Sequence, residues 1–149
     1  MSESFMDANL FHFPPAKPPH LLNPLVLAYI GDAVFEVYIR QYVISHLNHR
    51  PNHLHQTATK YVSAKAQSRL LEGLMPILTE EEKSIVKRGR NAKSGTTAKN
   101  AKVLEYRYST AFECLIGYLY YTQAYERLKE LMDIAVTSMP NSKEGNRNG

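Results

Sequence analysis

Apolar positions recur at helical spacing from residue 24 to residue 137, and no stretch alternates Val, Ile and Thr as a strand would. Asn23-Pro24 is an N-cap and first-turn pair that opens a helix over 24–46. Its apolar residues (Leu25, Val26, Leu27, Tyr29, Ile30, Val34, Phe35, Val37, Tyr38, Ile39) lie nearly all round, so that helix is central or is covered by a partner chain. Pro51-Asn52 starts a second helix, to 61. Ser63 caps a third, to 74, with Gly73 near its end. Thr79-Glu80-Glu81-Glu82 is a capping box with acidic residues at the positive helix end, giving a fourth helix to 87. Helices over 106–121 and 124–137 complete an all-α chain without internal repeats. Residues 1–20 carry Pro14, Pro15, Pro18 and Pro19 and read as an extended arm, 21–138 as the folded domain and 139–149 as a disordered polar tail.

A chain of 149 residues with 44% hydrophobic residues fills one core and leaves no room for a second domain. The single cysteine, Cys114, excludes an internal disulfide and sits in an apolar run as a packing residue. No segment approaches the ~20 apolar residues of a membrane span, and the N-terminus lacks a leader pattern, so a soluble, cytoplasmic protein is expected. The net charge of +4 says little by itself. Its distribution says more: from Lys87 to Val103 six cations (Lys87, Arg88, Arg90, Lys93, Lys99, Lys102) face no acid. Gly89, Ser94, Gly95, Thr96 and Thr97 add flexible backbone and hydroxyls, a loop composition suited to a phosphate chain.

Two carboxylates interrupt apolar runs. Asp32 lies in Leu27-Ala28-Tyr29-Ile30-Gly31-Asp32-Ala33-Val34-Phe35-Glu36, and Glu113 in Thr110-Ala111-Phe112-Glu113-Cys114-Leu115-Ile116-Gly117-Tyr118. A lone buried carboxylate is costly without a cation, a proton or donors, and two brought together would suit a hard divalent cation. Each has a plainer reading. Glu36, one turn beyond Asp32, can pair with Arg40 on a solvated face and leave Asp32 a polar lining residue. Thr110 and Glu113 can form a capping box that starts a helix, unless the helix begins earlier and leaves Glu113 inside it. His46, His49, His53 and His55 lack cysteine support for zinc, and Pro51 breaks the helix between them. Tyrosines such as Tyr29, Tyr38 and Tyr118 fall at core spacing. Lys60, Ser63, Lys65, Gln67 and Arg69 fit either a ribose-lined groove or a solvated helix face.

The run Tyr29 to Glu36 resembles the signature helix of the ribonuclease III family, and Thr110 to Gly117 resembles its second motif, Asp-x-x-Glu-Ala-Leu-Ile-Gly. With Lys87-Arg88-Gly89-Arg90-Asn91-Ala92-Lys93-Ser94-Gly95-Thr96-Thr97 between them, the chain is similar to the small bacterial Mini-ribonuclease III branch. The resemblance implies an all-helical, homodimeric endonuclease that cuts both strands of double-stranded RNA with Mg2+. Asp32 matches the signature aspartate and Glu113 the second-motif glutamate, which implies catalytic and metal-ligand roles for both, with Glu36 as an outer-sphere group. The signature glutamate falls on Ala28 and the first aspartate of the second motif on Thr110, departures the small branch shares. RNA contacts are expected from Lys65, Lys87, Arg88, Arg90, Lys93 and Lys99. The branch's usual task implies a precursor 23S ribosomal RNA stem as substrate, sometimes with a large-subunit ribosomal protein. A double-stranded-RNA-binding module of the same fold without catalysis is the competing reading.

Overall fold

The computed structural model describes residues 11–46, 50–92 and 101–138; residues 1–10 of the expected arm, Lys93, Lys99, His49 and the tail beyond 138 lie outside them. Six helices follow in order: α1 Pro24–Ile44, α2 Pro51–Val62, α3 Ala64–Leu74, α4 Glu80–Arg90, α5 Ala101–Tyr121 and α6 Tyr125–Thr137, with 3-10 turns at Pro19–Leu21 and Met75–Ile77. No strand occurs among the described residues. The caps are those expected. Asn23 Oδ1 accepts from Leu25 N–H at 2.8 Å, Ser63 Oγ from Ala66 N–H at 3.2 Å, and Thr79 and Glu82 close the reciprocal box.

The helix at the centre is α5, not α1. Ala111, Phe112, Cys114, Leu115, Ile116, Tyr118 and Leu119 are buried in sequence, and α1, α3 and α4 all pack on them. Helix α1 buries one stripe, Leu27, Ala28, Gly31, Phe35, Ile39 and Val43, spaced by one turn. Phe35 meets Phe112 edge to face at 4.9 Å between ring centres. The other side of α1 stays open. Val26, Tyr29, Val37 and Ile44 are exposed, Tyr29 by 83%, so the core placement expected for Tyr29 does not hold. Half a turn separates Tyr29 from the buried Gly31, which puts its ring on the opposite face.

Helix α4 runs one turn further than its sequence suggests, and α5 starts five residues earlier, so most of the described part of the basic stretch is helical. Gly89 is the reason at the α4 end. Instead of ending the helix it packs on α5, where a Cβ would come within 2.8 Å of Ala111 Cα and 2.9 Å of Cys114 Cβ. Cys114 Sγ faces Ile85 O at 3.8 Å, and burial pushes its thiol up to about 12.

One buried carboxylate is paired across the fold. Glu82, 4% exposed, accepts from Arg127 Nε and Nη2, each at 2.8 Å, and from Thr79 N–H at 2.9 Å. These donors hold the Glu82 carboxyl below its ordinary range, led by the Arg127 hydrogen bond. The pair ties the start of α4 to α6, and Arg127 also reaches Ile77 O and Glu130. Glu82→Ala leaves a half-buried guanidinium and an orphaned N–H, and should cost about 3 kcal/mol in urea unfolding. A loss below about 1 kcal/mol would mean that the pair merely offsets its own desolvation.

Candidate active site

The site is made where α1 crosses α5, and two glycines allow the crossing. A Cβ on Gly31 would lie 1.8 Å from Glu113 O, and one on Gly117 would lie 1.9 Å from Leu27 O. Each helix therefore presents bare backbone to the other's carbonyls. Asp32 follows Gly31, and Glu113 is one turn before Gly117. The close approach brings their carboxyls within hydrogen-bonding reach across the crossing. Glu113 sits well inside α5, whose first residue is Ala101, so it does not start a helix. The Thr110 hydroxyl instead donates back to Tyr106 O at 3.0 Å.

Asp32 is exposed and Glu113 half-buried. Burial first, then the hydrogen bond and charge of Asp32, push the Glu113 carboxyl up to about 8. Because this pKa lies above the ordinary 4.5, the folded chain holds a proton that the unfolded chain releases, and stability falls as pH rises between those values. Glu113→Gln should remove that slope. In chelator it should gain on the order of 3 kcal/mol over wild type between pH 5 and pH 9. Parallel pH profiles in urea unfolding would show that neither burial nor Asp32 raises the Glu113 carboxyl.

Such a pair suits a hard divalent cation, which takes oxygen ligands and relieves the repulsion of two ionised carboxylates. Among the described residues no group of three or more His, Cys, Asp or Glu side chains gathers, so water and substrate oxygens would have to complete the shell. His46, His53 and His55 form no such group either. Ala28 and Thr110, at the two positions where larger relatives of the resemblance carry acids, are buried small side chains. Glu36 accepts from Arg40 Nε at 3.2 Å.

The cations separate into two kinds. Lys65 and Lys87 are exposed, and Arg90 is half-buried with its Nε donating to Asn91 Oδ1 at 3.3 Å. Arg88 turns inward. Its Nη1 and Nη2 donate to His20 O at 3.1 Å and Leu22 O at 2.8 Å, fixing the segment that leads into α1. Each of its terminal nitrogens thus holds a backbone carbonyl.

Gln67 enters the site in a way the sequence does not indicate. It lies on the apolar face of α3 with Ala66, Leu70, Leu71 and Leu74 and is 1% exposed, which excludes both the groove and the solvated reading for this residue. Its Oε1 accepts from Ser109 Oγ at 2.6 Å. Its Nε2 has no hydrogen-bond partner of ordinary geometry, yet lies close enough to Glu113 to oppose the upward push on that carboxyl. An amide among leucines at helical spacing was the available signal.

The ribonuclease III domain family model matches residues 25–124. Mini-ribonuclease 3 from Brevibacillus brevis is 53% identical over 119 residues, covering 80% of this chain and 89% of that protein. Mini-ribonuclease 3 from Enterococcus faecalis is 52% identical over 125 residues, covering 83% and 95%. The crystal structure of a Fusobacterium nucleatum protein superposes with a TM-score of 0.71 at 31% identity, over 82% of this chain and 98% of that one. With the signature aspartate and second-motif glutamate meeting at one crossing, and with relatives of this similarity spanning most of its length, the chain belongs to the ribonuclease III family, in its Mini-ribonuclease 3 branch, and is an endoribonuclease.

Proposed function

We propose that this endoribonuclease cuts both strands of double-stranded RNA as a homodimer, with Mg2+ held by Asp32 and Glu113, leaving 5′-phosphate and 3′-hydroxyl ends. The observation that carries the reading is the close crossing of α1 and α5 at Gly31 and Gly117, which sets the Asp32 and Glu113 carboxyls side by side. Bound there, Mg2+ would supply Lewis-acid polarisation of a phosphate and a water of lowered pKa. Asp32, exposed, meets the incoming phosphate side, while Glu113 anchors the deeper end of the pair. Glu113 gives up its proton when the cation takes its place, so binding is favoured by rising pH.

The exposed apolar face of α1, with Val26, Tyr29, Val37 and Ile44, supports pairing of two copies beside Asp32. Two such sites side by side suit a substrate with two backbones. A-form RNA closes its major groove to side chains, so helices must read shape, ribose hydroxyls and phosphates. Lys87 and Arg90 at the end of α4 and Lys65 on α3 are cations for that contact, joined by Lys93 and Lys99 from the sequence.

The family resemblance adds the setting: maturation of precursor 23S ribosomal RNA in the cytoplasm, with a large-subunit ribosomal protein as helper. No helix among the described residues is long and apolar enough to cross a membrane. The test is a perfect RNA duplex incubated with the protein in Mg2+ and in chelator, followed by end-group analysis. Cutting of both strands that chelator stops supports the reading. Cutting unaffected by chelator, or of single strands alone, would refute it.

A further inference from the structure

We infer that Gln67 is a positioning residue for Glu113, its amide spanning one turn of α5 from the Ser109 hydroxyl to the Glu113 carboxylate. This rests on the reading of Asp32 and Glu113 as the cation's ligands. Gln67 comes from α3, a different element from either carboxylate, and is 1% exposed, so it cannot touch RNA. Ser109 and Glu113 are four apart on α5 and therefore share a face. The Ser109 hydroxyl donates to Oε1 at 2.6 Å, which leaves the Nε2 end of the amide for Glu113. With Glu113 ionised, as a cation's ligand must be, the reverse orientation would aim a carbonyl oxygen at a carboxylate.

Nε2 is left as a buried donor without a partner, a costly arrangement unless an acceptor is at hand. Glu113, one turn from Ser109 on the face of α5 that Gln67 meets, is the acceptor that the free end of the amide would reach. A carboxylate that receives this N–H on one oxygen is held with its other oxygen toward Asp32. Orientation of a ligating group by a fixed outer partner is worth ten- to a hundredfold in metal affinity. Ser109 acts one step further out, by holding the amide.

The experiment compares Mn2+ binding, followed by the loss of its free-ion paramagnetic resonance signal, in full-length wild type, Gln67→Met, Ser109→Ala and Asp32→Asn. Gln67→Met keeps the side chain's length and removes the amide. It should bind Mn2+ ten- to a hundredfold more weakly. Its melting temperature and duplex-RNA affinity should stay near wild type, and kcat should recover as Mn2+ is raised while KM for RNA is unchanged. Ser109→Ala should move the same way by a smaller factor, and it decides the matter if the Met variant does not fold. Wild-type Mn2+ affinity in both variants would overturn the assignment, as would a lowered melting temperature with unaltered affinity. If Asp32→Asn also binds Mn2+ like wild type, the carboxyl pair is not the cation site and both readings fall; if only Asp32→Asn loses binding, the nuclease site stands and the role of Gln67 does not.

Discussion

Asp32→Asn is expected to abolish cutting of duplex RNA while leaving duplex binding within a few-fold of wild type. Asparagine keeps the shape and a carbonyl oxygen but removes the charge, and charge is what a hard cation requires of so small a ligand set. With only two carboxylates in the pair, losing one halves its negative charge. Metal assistance to phosphoryl chemistry is worth several kcal/mol, so the loss should be at least about a thousandfold, on the order of 4 kcal/mol in the barrier. The same change removes the two contributions of Asp32 that raise the Glu113 pKa, its hydrogen bond and its charge. In chelator at pH 9 the variant should therefore unfold at higher urea than wild type. Inactivity joined to a gain in stability separates a lost ligand from a damaged fold. An Asp32→Asn protein that still cuts at more than about a tenth of the wild-type rate would place the chemistry elsewhere.

Gly117→Ala is expected to cost about 3 kcal/mol or more and to lose activity beyond what the folded fraction explains. The added Cβ would stand 1.9 Å from Leu27 O, and the obstacle is backbone, which cannot rotate aside. The helices must separate by more than an ångström, and the carboxyls separate with them. Gly31→Ala meets Glu113 O at 1.8 Å and should behave alike. Gly73→Ala supplies the contrast. Its nearest neighbour would be Ser138 Oγ at 3.9 Å, so the helix-propensity gain of roughly 0.5–1 kcal/mol should appear as added stability. If all three alanines shift urea midpoints in one direction, the glycine crossing does not set the distance between α1 and α5.

Helix starts marked by a capping side chain were legible because their determinants are local, whereas the start of α5 was not. Asn23, Ser63 and Thr79 cap where the sequence says, since a side chain reaching its own first turn needs no tertiary partner. Glycines were read less well. The same residue type ends a helix or admits a neighbour, and only the neighbour decides; Gly89 lengthened α4 past its expected end for that reason. The all-round apolar pattern of α1 fits a central helix or one covered by a partner chain and cannot tell the two apart; α5 takes the centre, and α1 keeps an open apolar face. The Asp32 and Glu113 candidates came from charge placed in apolar runs. Their meeting depends on a crossing that no local pattern encodes. Arg88 stood in a basic run and was grouped with its neighbours, whereas its partners, the carbonyls of His20 and Leu22, are visible only in three dimensions. Gln67 was hidden for a related reason: a polar residue gains meaning when the group it faces is known.

The chain's lone thiol has a practical consequence. Walled in between α4 and α5 and almost wholly protonated at neutral pH, Cys114 should resist maleimides, iodoacetamide and mild peroxide alike. A second cysteine placed on an outward face could then carry a fluorophore or spin label without the native one being removed first. Distances between two labelled copies would then test the proposed homodimer in a protein otherwise left as it is.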